Sequence, residues 1–222
     1  MRAAVITFPG SNCDRDLAVG LEMAGAEVTR VWHKDSTLPE GIDLVGIPGG
    51  FSYGDYLRCG AIAANSPICG ELKAHVERGG YALGICNGFQ VLTETGLLPG
   101  ALRRNAGLKY ICKPIELQVE AADTAYTSGY EAGQVITVPI AHHDGNYYVD
   151  EAKLAELRAE GRIAFSYVNN PNGSVADIAG VVSRNRRVLG MMPHPERMAE
   201  PSHGGTDGKA MFTSLMSQMA LA

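Results

Sequence analysis

The stretch Y-A-L-G-I-C-N-G-F-Q-V-L-T-E-T-G, residues 81–96, decides the fold of this 222-residue chain. Its first five residues, Tyr81–Ile85, form a short apolar run after a glycine pair, which is typical of a buried central strand. Beyond this run the apolar residues follow helical spacing as far as Gly96, where a helix C-terminal glycine is expected. The pattern therefore predicts a strand that turns sharply into a helix, with Cys86 on the turn.

Cys86 has the sequence context of a nucleophile. Gly84 and Gly88 stand two residues before and after it, and they remove the side chains that would crowd a tight turn. This is the pattern of a nucleophile elbow, with cysteine in the place of serine. A helix N-terminus also favours the thiolate, because unpaired N–H groups and the helix dipole stabilise negative charge there. From this stretch alone, a catalytic cysteine and a packed structural cysteine are equally good interpretations.

Composition excludes several classes of function. The formal net charge of −5 and the pI near 5.7 argue against a protein that binds nucleic acid by neutralising phosphates, so we expect a small-molecule or protein partner. No apolar run is long enough to span a membrane, and the N-terminus does not resemble a signal peptide, which predicts a cytoplasmic protein. The five cysteines include no C-x-x-C pair, so neither a disulfide framework nor a zinc site is predicted. Four of them are interpreted as packed or surface thiols: Cys13, Cys59, Cys69 and Cys112.

Strand-like and helix-like segments alternate along most of the chain. This predicts an α/β fold of the flavodoxin-like type, with an open, mostly parallel sheet flanked by helices. Ile111–Val119 and Val135–Ile140 predict a small antiparallel extension. No linker, repeat or low-complexity segment divides the chain, so residues 1–222 are interpreted as a single domain. Two helix starts have candidate caps: Ser11, Asn12 or Asp14 for the first, and Ser66 before Pro67 for a later one. The loop Pro9–Asp14 also lies at a strand carboxyl end, so a ligand site is the alternative to helix capping there.

Two further segments follow predicted strands and carry groups that a cysteine nucleophile needs. Gly49 and Gly50 leave backbone N–H groups unhindered, which suits an oxyanion hole, although a plain glycine turn is the simpler explanation. In M-M-P-H-P-E-R, Pro195 disfavours helical dihedrals at His194, so His194 and Glu196 are expected on one face of an extended segment. A carboxylate beside an imidazole can orient it, as in a catalytic triad, and a solvated loop is the alternative. All these segments lie at strand carboxyl ends, where they can converge on one cleft.

Two other segments have weaker signals. His142 and His143 suggest a metal site, but adjacent histidines in a strand point to opposite faces and no further ligand pattern supports one, so no metal is predicted. Ser52–Cys59 lacks clean periodicity and is rich in groups that make contacts, which indicates a functional or interface loop.

Together these segments resemble the class I (triad) glutamine amidotransferases, in which G-x-C-x-G-x-Q carries the nucleophile and a later H-P-E supplies histidine and glutamate. The matching residues are G-I-C-N-G-F-Q, residues 84–90, and H-P-E, residues 194–196. Longer matches cover nearly the whole chain and resemble the glutaminase subunits of a purine-biosynthetic synthase: F-P-G-S-N-C-D-R-D, P-G-G-F-S-Y-G-D-Y-L-R-C-G-A-I-A, G-M-M-P-H-P-E-R and G-G-T-D-G.

The resemblance implies a reaction and three catalytic residues. Cys86 would attack the carboxamide of L-glutamine and form a thioester, from which glutamate and ammonia are released. His194 would shuttle the proton that lets ammonia leave and water later attack. Glu196 would orient His194.

The resemblance also implies an oxyanion hole and a substrate contact. The N–H groups of Gly50 and Asn87 would stabilise the tetrahedral oxyanion, and Gln90 would help to hold glutamine. The chain departs from the family pattern at His143–Asp144 and at Leu108–Tyr110. Both departures lie outside the triad. They therefore leave the predicted chemistry unchanged, and only the contacts that these loops would make with partner subunits are expected to differ from those of the family.

The resemblance further implies partners. Ammonia would pass to a synthetase subunit that makes formylglycinamidine ribonucleotide from formylglycinamide ribonucleotide and ATP, and a small subunit would bridge the two. ATP and Mg²⁺ are expected on the synthetase, and no cofactor is expected in this chain, which has no P-loop or kinase-like motif.

Two other functions stay open at this point. A cysteine hydrolase or deglycase of similar fold would keep the elbow but would not need H-P-E, and turnover of glutamine distinguishes it. A non-catalytic assembly subunit is disfavoured because every catalytic position is filled.

Overall fold

The computed structural model describes residues 1–56 and 58–220, which form one large sheet, one small sheet and six α-helices. The strands are β1 Arg2–Thr7, β2 Glu27–Trp32, β3 Leu44–Ile47, β4 Tyr81–Ile85, β5 Ala101–Arg103, β6 Ile111–Val119, β7 Val135–His142, β8 Asn146–Tyr148, β9 Ile163–Tyr167, β10 Ile178–Val182 and β11 Val188–Met191. The helices are α1 Asp14–Met23, α2 Cys59–Ala64, α3 Ile68–Glu77, α4 Asn87–Glu94, α5 Glu151–Ala159 and α6 Lys209–Ala220.

The large sheet has nine strands in the order β2-β1-β3-β4-β11-β10-β9-β6-β7. The first five of these strands are parallel, and β10, β9, β6 and β7 continue the same sheet in antiparallel pairs. The predicted α/β fold is therefore confirmed, and so is the antiparallel pairing of β6 with β7. β5 and β8 form a separate two-stranded sheet.

Close packing at the centre of the sheet positions the predicted elbow. β3 and β11 are buried along their whole length, as expected for strands covered on both faces. A Cβ atom at Gly84 would lie 2.5 Å from Leu92 Cδ1, and one at Gly190 would lie 2.2 Å from the Phe89 ring. These glycines therefore let α4 lie directly against β4 and β11, with its first residue at the carboxyl end of β4.

Both predicted helix caps are wrong. α1 begins after Cys13, and among the described residues no side chain caps it. Ser11 instead donates through its hydroxyl to the carbonyl of Gly49, 3.0 Å away, and so joins the first loop to the glycine-rich loop. Ser66 does not cap α3, because its hydroxyl hydrogen-bonds with Nδ1 of His33 at 3.0 Å. Both hydroxyls make contacts with residues distant in sequence, which a local capping pattern does not include.

Within the described residues, no helix has the length and apolar character needed to cross a bilayer. The single domain predicted for residues 1–222 stays a prediction. Residues 57, 221 and 222 lie outside the part of the chain that the structure describes.

Candidate active site

Cys86 lies on the predicted turn, between the end of β4 and the start of α4. Its backbone has φ 54° and ψ −108°, which is a strained conformation for a residue other than glycine. The Cys86 N–H donates to the carbonyl of Met191, 2.8 Å away, which holds the turn against β11. A Cβ atom at Gly88 would lie 1.9 Å from the carbonyl oxygen of Ile47, so position 88 requires glycine. The fold thus holds the thiol in a fixed place at the carboxyl edge of the sheet.

His194 and Glu196 follow β11, the neighbour of β4 in the sheet. His194 is extended, with φ −107° and ψ 83°, whereas Pro195–Met198 forms a 3₁₀ turn, so the predicted extended segment ends at His194. His194 Nδ1 lies 2.6 Å from Glu196 Oε1, and both side chains are buried. The pair predicted from residue spacing is therefore in contact, across a turn rather than along a strand.

The protonation of His194 depends on its buried neighbours. Burial opposes the imidazolium, but the charge of Glu196 and the nearby sulfur atoms of Cys13 and Cys86 outweigh this cost, so the pKa of His194 is raised above its ordinary value. The site therefore holds a histidine that can keep a proton.

A cavity of about 20 Å³ brings together four of the six predicted site residues: Gly50, Cys86, Asn87 and His194. This is about the volume that one water molecule needs. Glu196 does not line this cavity, but it contacts His194, which does. A groove of about 570 Å³ lies at the opposite, amino ends of the strands and includes no predicted site residue.

The predicted oxyanion donors line this cavity. Within residues 1–56 and 58–220, no hydrogen-bond acceptor contacts the backbone N–H of Gly50 or that of Asn87. Gly50 has φ 88°, and a Cβ atom there would lie 2.0 Å from Asn12 Oδ1, so this position requires glycine. The Ser52 N–H donates to Asn87 Oδ1 at 3.2 Å, which fixes the glycine-rich loop to the first turn of α4.

Gln90 does not line the cavity. Its Oε1 accepts from Asn87 Nδ2 and from the Cys59 thiol, each at 3.0 Å, and its Nε2 donates to the carbonyl of Asp144 at 2.9 Å. The amide is thus engaged inside the protein, where it braces Asn87. The predicted contact between Gln90 and substrate has no support in this geometry.

Asp55 lies on the other side of Asn87. Its Oδ1 accepts from Asn87 Nδ2 at 2.9 Å, and it also lines the cavity. Burial raises the pKa of the Asp55 carboxyl, an effect that its hydrogen bonds with Asn87 and Cys59 partly offset. Burial and the charge of Asp55 raise the pKa of Cys59 to about 12, so Cys59 stays a thiol at neutral pH.

Sequence reasoning missed several cavity residues. Cys13 was interpretable as an ordinary packed thiol, yet it lines the cavity, and its Sγ accepts from Arg197 Nη2 at 3.0 Å. The position of its loop at a strand carboxyl end is the signal for a site there, although the sequence favours helix capping as the simpler explanation. Phe51 and Tyr110 line the cavity too, with ring centroids 6.0 Å apart. One of the residues at which the chain differs from the family pattern, Tyr110, therefore lies in the candidate active site.

The adjacent histidines have separate surroundings, as predicted for a strand. His142 is buried, and its Nδ1 hydrogen-bonds with Asn105 Oδ1 at 3.0 Å, whereas the His143 ring contacts Tyr110 edge-on. Burial and the nearby charge of His194 lower the pKa of His142 to about 4, so this imidazole is neutral at neutral pH.

Comparison with known proteins assigns the family. The model of the CobB/CobQ-like glutamine amidotransferase domain matches residues 1–211. The phosphoribosylformylglycinamidine synthase subunit PurQ of Ruegeria sp. (strain TM1040) is 72% identical over 97% of both chains, and that of Ruegeria pomeroyi is 69% identical over 100% of both. Among solved structures, a chain in PurLQS from Thermotoga maritima is 45% identical, with a TM-score of 0.90 and 98% of both chains covered. The glutaminase domain of Trypanosoma brucei CTPS shares the fold at 14% identity, with a TM-score of 0.64 over 100% of this chain and 94% of that one. The chain therefore belongs to the CobB/CobQ-like glutamine amidotransferase family and, within it, to the group of the PurQ subunits of phosphoribosylformylglycinamidine synthase.

Proposed function

We propose that this chain is the glutaminase subunit of phosphoribosylformylglycinamidine synthase, a cytoplasmic enzyme of purine biosynthesis. One observation carries the chemistry: Cys86, on the strained turn, shares a buried cavity with His194, whose Nδ1 is 2.6 Å from Glu196. The identity of 72% to a subunit of that synthase supports the choice of pathway.

Each triad residue has a defined step in this mechanism. The Cys86 thiolate attacks the carboxamide carbon of glutamine and gives a tetrahedral intermediate. When this intermediate collapses, His194 gives its proton to the leaving nitrogen, and ammonia departs while the thioester remains. His194 then takes a proton from water, the resulting hydroxide attacks the thioester, and glutamate and the free thiolate are released. Glu196 holds the imidazole in the tautomer and orientation that both transfers need.

The backbone donors act on the charge that develops at the substrate oxygen. The N–H groups of Gly50 and Asn87 come from two loops that the Ser52–Asn87 hydrogen bond holds together. In the described residues both N–H groups line the cavity and have no acceptor, so both can donate to the oxyanion when it forms. Each donor is expected to contribute about 100- to 1000-fold in rate.

Glu196→Gln is expected to lower the rate of glutamine hydrolysis by about 10- to 100-fold, less than loss of the general base itself. The variant keeps the shape of the side chain but removes the charge that raises the pKa of His194. The His194 pKa should therefore fall, and the alkaline limb of the kcat/KM profile, where the imidazolium loses its proton, should move to lower pH. Steady-state rates across a pH series measure both effects. An unchanged profile would mean that Glu196 only fills space.

The synthetase partner is expected to bind ATP, Mg²⁺ and formylglycinamide ribonucleotide, and a small third subunit is expected to bridge it to this chain. The likeness to a chain in PurLQS from Thermotoga maritima supports such an assembly. In this division of labour, the present chain contributes ammonia alone and needs no cofactor of its own.

Reconstitution of the complex tests the proposed function. The cavity is too small for a glutamine side chain while Phe51 lies against Tyr110, so these rings must move apart before substrate enters. We expect the chain alone to hydrolyse glutamine at least about 10-fold more slowly than it does with the synthetase, since partner binding orders such loops. Glutamate release and formylglycinamidine ribonucleotide formation are measured together. Glutamine left untouched by the full complex would overturn the proposed function, whereas equal rates would overturn only the partner dependence.

A further inference from the structure

Asp55 is the one residue with a carboxylate among the described residues that line the catalytic cavity. The other ionisable side chains with nitrogen in the cavity wall, those of His194 and Arg197, are basic. Arg197 is already paired with Asp16, with 2.9 Å between its Nε and Oδ2 of that carboxylate. In residues 1–56 and 58–220, by contrast, no basic side chain lies within ion-pair distance of Asp55. The cavity therefore has a negative charge that the protein does not neutralise.

The two carboxylate oxygens of Asp55 have different surroundings. Oδ1 accepts from Asn87 Nδ2 at 2.9 Å, and the Cys59 sulfur lies 3.6 Å from the same oxygen. Within the described residues no donor contacts Oδ2, although this atom also has lone pairs to offer. Burial raises the pKa of the Asp55 carboxyl, and the charge of Asp144 adds to that effect, so the negative charge is costly to keep without a cation. Oδ2 can therefore accept from a cation that enters the cavity.

Glutamine brings a cation that matches this acceptor. It carries an α-ammonium group, which lies about 5 Å from the carboxamide carbon when the side chain is extended. An ammonium group that leaves water without finding an acceptor has a large desolvation cost. Gln90 does not supply that acceptor, because its amide is engaged inside the protein. Asp55 lines the same cavity as Cys86, so the two residues can contact opposite ends of one substrate.

We propose that Asp55 binds the α-ammonium group of glutamine through Oδ2 and selects substrates that carry this group. Oδ1 stays on Asn87, whose backbone N–H lines the cavity, so one carboxylate links the amino-acid end of the substrate to the catalytic end. Binding forms an ion pair and moves no proton. This assignment rests on the proposed function, because it takes glutamine as the substrate. Asp55 is thus a specificity-determining residue that the sequence pattern does not reveal.

Asp55→Asn is the variant that isolates the charge. Asp55 has φ 52°, a left-handed conformation that asparagine also tolerates, and an amide oxygen can still accept from Asn87. The variant therefore keeps the loop conformation and removes the negative charge. Asp144→Asn is the matched control. Asp144 is close enough to affect the pKa of Asp55, but it is paired with Arg104 and does not line the cavity.

Two reagents that alkylate the catalytic cysteine test the contact in the reconstituted complex. One is the diazoketone analogue of L-glutamine, and the other is the same diazoketone without the α-amino group. Each loses N₂ as its carbon forms a bond with the Cys86 sulfur. The measurement is the second-order rate constant of inactivation by each reagent, with mass spectrometry to verify that Cys86 is labelled.

We expect wild type and Asp144→Asn to react about 10- to 100-fold faster with the reagent that has the ammonium group. In Asp55→Asn this ratio should fall to about 1 to 3, because only that reagent loses a contact with a charged group. The reagent without the ammonium group should keep its wild-type rate, which also shows that the variant is folded. With glutamine, Asp55→Asn should raise KM about 10- to 100-fold and change kcat by less than about 3-fold.

The ratio of the two rates separates the possible roles of Asp55. Equal loss with both reagents in Asp55→Asn overturns the proposal, because a residue that only positions Asn87 acts on both alike. An unchanged ratio in Asp55→Asn, a wild-type ratio near 1, or the same fall in Asp144→Asn overturns it as well. A wild-type complex that neither turns over glutamine nor is labelled at Cys86 would overturn the proposed function itself, whereas an unexpected ratio in an active enzyme concerns Asp55 alone.

Discussion

Cys86→Ala is expected to abolish synthesis of formylglycinamidine ribonucleotide from glutamine while leaving synthesis from added ammonia intact. Without the sulfur no thioester forms, and removal of a catalytic nucleophile costs about 10⁵-fold or more in rate. Ammonia bypasses this chain altogether, since the synthetase uses it directly. The measurement is product formation by the reconstituted complex with either nitrogen source.

The matched control for this experiment is Cys112→Ser, which changes an exposed cysteine that does not line the cavity and should keep both activities. Loss of both activities in Cys86→Ala would mean that the variant disrupts the complex rather than the chemistry. Retention of both would exclude Cys86 as the nucleophile.

His194→Ala is expected to lower glutamine hydrolysis by at least about 10³-fold, because proton transfer in both halves of the reaction passes through this imidazole. The double variant Cys86→Ala, His194→Ala should be no slower than Cys86→Ala alone, since residues that act as a unit are not additive. Initial rates of glutamate release for the three variants measure this.

His203→Ala is the control for the second prediction, because His203 is an exposed histidine a few residues downstream. It should keep nearly full activity. A double variant whose loss equals the product of the two single losses would show that Cys86 and His194 act independently, which contradicts the triad. Because His194 is buried and bonded to Glu196, thermal unfolding of His194→Ala is also needed to exclude a folding defect.

The parts of the fold that could be predicted are those that depend on local sequence. The apolar run Tyr81–Ile85 and the glycines around Cys86 specify a strand, a tight turn and a helix without help from distant residues. The pairing of His194 with Glu196 was equally accessible, because the two residues are only two apart, although they meet across a 3₁₀ turn and not along the extended segment that the prolines predict. In each case the deciding interaction lies within a few residues.

The parts that could not be predicted depend on contacts between distant residues. Arg197 meets Cys13 across 184 positions of the chain, and no spacing pattern encodes that meeting. Ser11 and Ser66 have the composition of helix caps, yet tertiary hydrogen bonds engage both hydroxyls. Gln90 belongs to the family motif, but its amide is committed to Asn87, Cys59 and Asp144 rather than to the cavity. The local sequence identifies the chemical groups. Only the folded chain shows which of these groups already form hydrogen bonds with other parts of the protein.

The place of β11 in the sheet has a consequence for how the protein is made. β11 pairs with β4 and β10 at the middle of the sheet, although it is the last strand to leave the ribosome. At 5–20 residues per second, it emerges about 5 to 20 s after β4. During that interval β4 has an open edge, and the nucleophile lacks both its base and the Met191 carbonyl that holds its turn. A growing chain therefore exposes a sheet edge that needs protection from aggregation, and it cannot consume glutamine before its synthesis is nearly complete.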